Sequence, residues 1–186
     1  GTGVALAYGD IQGNIQREDI TALLGREPEE EPRPVDPSAG RPLNFLVLGT
    51  DAREGESDID GAGAAGEVVG MRADTTMLIH VSADRSRVEV VSIPRDTLVD
   101  IPSCTLPDGT VTEAHRGMFN SAFSIGGDTG NVGSAAACTI RTVEKLTGLR
   151  VDDFVVVDFA GFIGVIDALD GIAVYVPDPV DDPLYT

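Results

Sequence analysis

Three Arg/Asp groups dominate the chemistry available to this chain: Asp51-Ala52-Arg53, Arg72-Ala73-Asp74 and Arg95-Asp96. Each lies where an apolar, strand-like run begins or ends. Alternating guanidinium and carboxylate groups suit a pyrophosphate held together with a divalent cation. Arginine grips phosphate oxygens through two parallel N–H donors. Carboxylates hold Mg²⁺ and leave its other positions to water and substrate phosphates. On this reading Asp51 and Asp74 are metal ligands, and Arg53, Arg72 and Arg95 bind the pyrophosphate. Such a set favours phosphoryl transfer by positioning the reactants and neutralising charge on the leaving phosphate. The competing reading is a row of exposed ion pairs at strand ends, each worth under about 1 kcal/mol.

The elements that must bring these groups together are partly legible. Asn44-Phe45-Leu46-Val47-Leu48 is a continuous apolar run stopped by Gly49, which predicts a strand buried on both faces. Residues 75–81 and 87–93 are strand-like, and Ala83-Asp84-Arg85-Ser86 between them suits a turn. Antiparallel pairing about that turn sets residues 72–74 opposite roughly 94–96, so Arg72 and Asp74 meet Arg95 and Asp96 at the open end of the hairpin. A strand over 44–48 running alongside 87–93 in the same direction would deliver Asp51 and Arg53 to that end too.

The second half alternates. Residues 117–125 and 135–146 read as helices and 151–157 as a strand. Residues 159–169 read as an amphipathic helix with Asp158 as N-cap and Gly171 as C′, followed by a strand over 172–176. Strand–helix–strand order predicts an α/β fold, a three-layer α/β/α sandwich around a central mixed β-sheet. Residues 1–42 form a lead-in, with a short helix over 18–24 closed by Gly25 and a Pro- and acid-rich linker over 26–42. The catalytic domain runs over 43–186. Phe159, Phe162, Ile163 and Ile166 recur at helical spacing, and Phe119 and Phe123 share another predicted helix. These six either pack an ordinary core or line a groove for a lipid chain.

The net charge of −18 over 186 residues argues against a general nucleic-acid binder. His80 falls within a predicted strand and His115 in a loop, so Cys104 and Cys138 lack the partners of a four-ligand zinc site. The cysteines form either a disulfide, which implies an oxidising compartment, or two buried thiols. The long apolar stretch 154–176 is broken by Asp158, Asp167 and Asp170, so it does not predict a spanning helix.

In this order along the chain, Leu48-Gly49-Thr50-Asp51-Ala52-Arg53, Arg72-Ala73-Asp74-Thr75-Thr76-Met77, Ser92-Ile93-Pro94-Arg95-Asp96-Thr97, Phe119-Asn120-Ser121-Ala122-Phe123 and Val157-Asp158-Phe159 resemble the LytR–CpsA–Psr family. Asp167-Ala168-Leu169-Asp170-Gly171-Ile172 extends the likeness. The resemblance implies an α/β/α domain outside the plasma membrane, anchored in the cell envelope by one N-terminal helix that is not in this sequence. It implies a phosphotransferase that moves a glycan polymer from a polyprenyl-pyrophosphate carrier to peptidoglycan or a surface protein, with pyrophosphatase activity as a partial reaction. The cofactor implied is Mg²⁺, with Mn²⁺ as the alternative. By the same resemblance Arg72, Arg95 and Asp96 are catalytic, and the extracytoplasmic setting favours the Cys104–Cys138 disulfide. The alternatives are a plain pyrophosphatase or phosphodiesterase, and a non-catalytic module that binds polyprenyl-linked glycan. Two departures stand out. Arg116-Gly117-Met118-Phe119-Asn120 replaces the family's Lys-Ile-Asn motif, and the Arg-x-Arg strand that completes the family's phosphate site is not within these residues.

Overall fold

The computed structural model describes residues 17–26, 40–50, 72–128 and 130–177. Its centre is a four-stranded mixed sheet built from β1 (Leu43–Thr50), β2 (Ala73–Val81), β3 (Val88–Ser92) and β6 (Asp153–Val157), in the order β3-β2-β1-β6. β1 pairs antiparallel with β2 and parallel with β6, and β2 pairs antiparallel with β3. Thus β1 and β3 run the same way, as the sequence suggests, but β2 lies between them. A second, two-stranded sheet joins β4 (Leu98–Ile101) to β5 (His115–Met118).

The β2–β3 hairpin is closed by its own turn chemistry. Asp84 Oδ1 accepts from Ser82 Oγ at 2.7 Å, Ser86 Oγ at 2.8 Å and Ser86 N at 3.1 Å. These donors, the Ser82 hydroxyl first, hold the Asp84 carboxyl down at about 2. Arg85 takes the left-handed conformation at φ 60°.

Two helices, α1 (Ser121–Gly126) and α2 (Val132–Thr147), cover one face of the sheet. The α2 helix starts where Asn131 Oδ1 accepts from Ser134 N at 2.7 Å, and ends at Gly148, whose φ of 72° supplies the left-handed cap. At Gly126 the two helices come close: a Cβ there would lie 2.4 Å from the Ser134 carbonyl oxygen. Leu46, Leu48, Thr76 and Leu78 project into this layer and are buried with Phe119, Phe123, Ile140 and Val143. By strand alternation Phe45, Val47, Met77 and Ile79 face the other side and are only half-buried. The third layer is α3 (Phe159–Ala168), which begins against that side with Gly161 beside Val157. None of its residues is buried. β1 is therefore central in the sheet but fully covered on one face only.

Several local expectations change. Of the helix expected over 117–125, residues 117 and 118 instead end β5, because that strand finds β4 as a partner; the helix begins at Ser121. Residues 172–176 form no strand among the described residues and are exposed. Residues 21–25 form a single turn rather than a helix, closed as a Schellman motif by Gly25 N to Ala22 O at 3.0 Å and Arg26 N to Thr21 O at 3.0 Å. At the end of α3 the left-handed C′ residue is Asp170 (φ 57°), with Gly171 one place later.

The end of the lead-in packs on the domain. Ile20 joins the core, and Arg26 forms an ion pair with Glu144 of α2 while its Nη1 donates to Val151 O at 3.0 Å.

Candidate active site: the Arg95 turn at one sheet edge

The strand directions bring three chain segments to one edge. β1 ends there at Thr50, which pairs with Ala73 at the start of β2. The last β3 contact, Ile93 N to Thr76 O at 2.9 Å, leads into residues 94–97. There Thr97 N donates to Pro94 O at 3.0 Å and closes a turn with Arg95 and Asp96 at its tip.

Arg95 is the hub of the described charges. Its Nη1 donates to Asp74 Oδ1 at 2.5 Å, and its Nε lies 3.8 Å from Asp96 Oδ2. All three side chains are well exposed: 53% for Arg95, 40% for Asp74 and 68% for Asp96. Such pairs hold geometry loosely and yield readily to a stronger anion. Arg72 is exposed directly before β2 at the same edge. Of the phosphate and metal residues expected from sequence, the structure therefore gathers Arg72, Asp74, Arg95 and Asp96. Asp51 and Arg53 lie outside the described residues.

The donor set suits a hard cation. Asp74 and Asp96 offer only oxygen, and the second oxygen of Asp74 has no partner among the described residues. No group of three or more His, Cys, Asp or Glu gathers around one point among the described residues. Mg²⁺ does not require one, since it binds through one or two carboxylates plus water and substrate phosphates.

The six residues expected in a lipid groove separate. Phe119 and Phe123 are fully buried (0% exposed) in the core on the α2 side. They have no free surface to offer a ligand, so their place in the groove is corrected to core packing. Phe159, Phe162 and Ile163 are exposed on α3, at 41%, 55% and 47%, and Ile166 is partly exposed on the same helix.

Cys104 and Cys138 are joined by a disulfide with their Cα atoms 5.4 Å apart. It ties the loop after β4 to the buried face of α2. His80 is a cross-strand residue, its Nδ1 2.8 Å from Asn44 Oδ1. The Asn44 amide donates to Arg150 O at 2.7 Å, which turns its oxygen toward His80. This network lies at the opposite end of β1 from the Arg95 turn.

Sequence reasoning missed what holds the turn. Phe119 N donates to Thr97 O at 2.8 Å, and Asn120 N donates to Arg95 O at 3.0 Å. Both donors are backbone groups, so side-chain chemistry gives no sign of them.

The match of the LytR_cpsA_psr family covers residues 7–184. The chain belongs to the LytR–CpsA–Psr family. This member is 30% identical over 143 residues to LcpB of Corynebacterium glutamicum, named as a probable cell wall biosynthesis protein, covering 76% of this chain and 30% of that protein. It is 28% identical over 174 residues to TagU of Halalkalibacterium halodurans, named a polyisoprenyl-teichoic acid–peptidoglycan teichoic acid transferase, covering 94% of this chain and 47% of that one. Among solved structures it superposes with TM-score 0.52 on TagT bound to LI-WTA, at 25% identity, over 74% of this chain and 41% of that chain. TagT with bound octaprenyl pyrophosphate gives TM-score 0.52 at 23% identity, over 76% and 44%, and shows the common fold. The chain spans less than half the length of each of these relatives.

Proposed function

We propose that this chain carries the pyrophosphate-handling edge of a glycopolymer phosphotransferase of the cell envelope. The single observation behind this reading is Arg95 set between Asp74 and Asp96 at an exposed sheet edge, in a member of this family. Two relatives support it, TagU, named a teichoic acid transferase, and TagT, solved with bound octaprenyl pyrophosphate.

In the proposed reaction an acceptor hydroxyl oxygen bonds to the phosphorus that carries the glycan. The bond from that phosphorus to the bridging oxygen breaks, and the electron pair leaves with polyprenyl phosphate. The hydroxyl proton passes to water or to the departing phosphate. Arg95 turns from its carboxylate partners to the phosphate oxygens and Arg72 supplies a second fork, so both bind charge that grows as the bond breaks. Asp74, with Asp51, would hold Mg²⁺ (or Mn²⁺), which supplies charge neutralisation when bound. The acceptor is peptidoglycan or a surface protein. The setting is extracytoplasmic, anchored to the plasma membrane; among the described residues no helix is long and apolar enough to cross it.

The test is phosphate release from geranylgeranyl pyrophosphate, followed with and without Mg²⁺. Metal-dependent release supports the reading, and binding without any release favours the glycan-binding module. Transfer to an added glycan acceptor separates the transferase from a plain pyrophosphatase. Asp74→Asn is expected to raise the Mg²⁺ needed for half-maximal turnover by about tenfold, the scale of losing one charge-assisted contact. An unchanged titration removes Asp74 from the metal site.

The exposed apolar face of α3 fits a polyprenyl chain. Burying one such side chain against lipid contributes roughly 1.5–3 kcal/mol. Phe162→Gln therefore weakens geranylgeranyl pyrophosphate by about tenfold or more and spares isopentenyl pyrophosphate. Since Phe162 is 55% exposed, the fold tolerates the change. Equal losses for both chain lengths would count against a groove here.

A further inference from the structure

The Arg95 turn belongs to two sheets at once. It leaves the central sheet at Ile93, one residue past β3, whose amide still bonds to Thr76 of β2. Past Ile93 the Arg95 side chain pairs with the exposed carboxylates of Asp74 and Asp96, and exposed ion pairs constrain a long arginine weakly. What fixes the point from which the guanidinium extends is the backbone. Two main-chain carbonyls of the turn, those of Arg95 and Thr97, accept from the amides of Asn120 and Phe119 at 3.0 and 2.8 Å. Both donors lie between the end of β5 and the start of α1.

Phe119 is the anchor of that segment. Its amide holds Thr97, its carbonyl accepts from Ala122 N at 3.1 Å in the first turn of α1, and its ring is fully buried in the core. One residue thus couples the core, the α1 start and the turn. Interiors are close-packed, so a change in ring volume moves the attached backbone rather than vanishing into free space. A phosphate clamp tolerates little of this: a site is held to about 0.5 Å, and a misplacement of about 1 Å can lower turnover by about 100-fold.

We propose that Phe119 is a positioning residue for Arg95, acting from the second sheet through the backbone of residues 94–97. It touches no substrate. The consequence for catalysis rests on the pyrophosphate reading above, whereas the consequence for Arg95 itself does not.

The experiment compares Phe119→Leu with Val143→Ala in the 186-residue chain. Val143 is also fully buried in the same core, on α2, and has no bond to the turn. Two quantities are read: the ¹⁵N-¹H resonance of Arg95 Nε, and kcat and KM for geranylgeranyl pyrophosphate. Phe119→Leu is expected to shift or broaden the Arg95 Nε signal and to raise KM or lower kcat by at least about tenfold. Val143→Ala, destabilised to a similar degree, keeps both near wild type. An Arg95 signal unchanged in Phe119→Leu, or displaced equally in both variants, overturns the proposal. If wild type shows no turnover, the pyrophosphate reading fails and the Arg95 resonance still decides the positioning role. Should Phe119→Leu not fold, Phe119→Met, whose flexible chain adapts better to the site, takes its place with the same outcomes.

Discussion

Arg95→Ala is expected to lower pyrophosphate turnover by at least tenfold while lowering the melting temperature by no more than about 2–4 °C. The two halves of that expectation come from different numbers. As a structural contact, Arg95 joins partners that are themselves 40% and 68% exposed, so its pairs contribute under about 1 kcal/mol to folding. As a phosphate ligand it provides a charge-assisted contact worth roughly 1.5–3 kcal/mol, and more if the contact tightens only in the transition state. A stability effect and a catalytic effect of such different size are separable in one variant. Arg72→Ala should behave alike, being exposed directly before β2 at the same edge. Turnover near wild type in both variants would refute the clamp. A large fall in melting temperature with proportionate loss of turnover would make these arginines structural.

Removal of the disulfide is expected to act on stability first. Cys104 and Cys138 close a loop across 34 positions. The chain-entropy model assigns such a loop about 4 kcal/mol through restriction of the unfolded chain. For a chain of this size that corresponds to a fall in melting temperature of about 8–16 °C. The double variant Cys104→Ala/Cys138→Ala, or the wild type under reductant, should show it. Activity should fall less than in Arg95→Ala, because the bond lies one step from the site: it ties the loop after β4 to α2, and β4 pairs with β5, whose end leads into Phe119. Free-thiol titration of the unreduced, denatured chain is the direct check, and two reactive thiols per chain would contradict the bond. Loss of activity at an unchanged melting temperature would point to a chemical role for a cysteine.

The hairpin shows how far local chemistry reaches. Strand-like residues on both sides of Ala83-Asp84-Arg85-Ser86 were enough to fix the register, because the Asp84 side chain organises the turn by itself and the turn sets every pair beyond it. The meeting of Asp74 with Arg95 follows from that register, with no knowledge of the rest of the molecule. The caps at Asp158 and Gly148 are likewise local, each satisfied by groups within a few residues. The α/β class was legible from alternating periodicity, and the family from short motifs in order.

Partnership over long distances decided the remainder. Residues 98–101 and 115–118 are too short to announce themselves, and they became strands only because each found the other. Residues 172–176 carry a better strand pattern and formed none among the described residues, since a strand needs a neighbour for its backbone groups. Periodicity could not tell which apolar faces would be covered. It gave Phe119 and Phe162 the same candidate role, and packing buried one completely and left the other 55% exposed. Residue types and their order thus determined the chemistry at the sheet edge. Only the tertiary structure determined what holds it there: two backbone amides, brought 22 and 25 positions along the chain to the carbonyls of residues 97 and 95 by a second sheet that no side-chain pattern reveals.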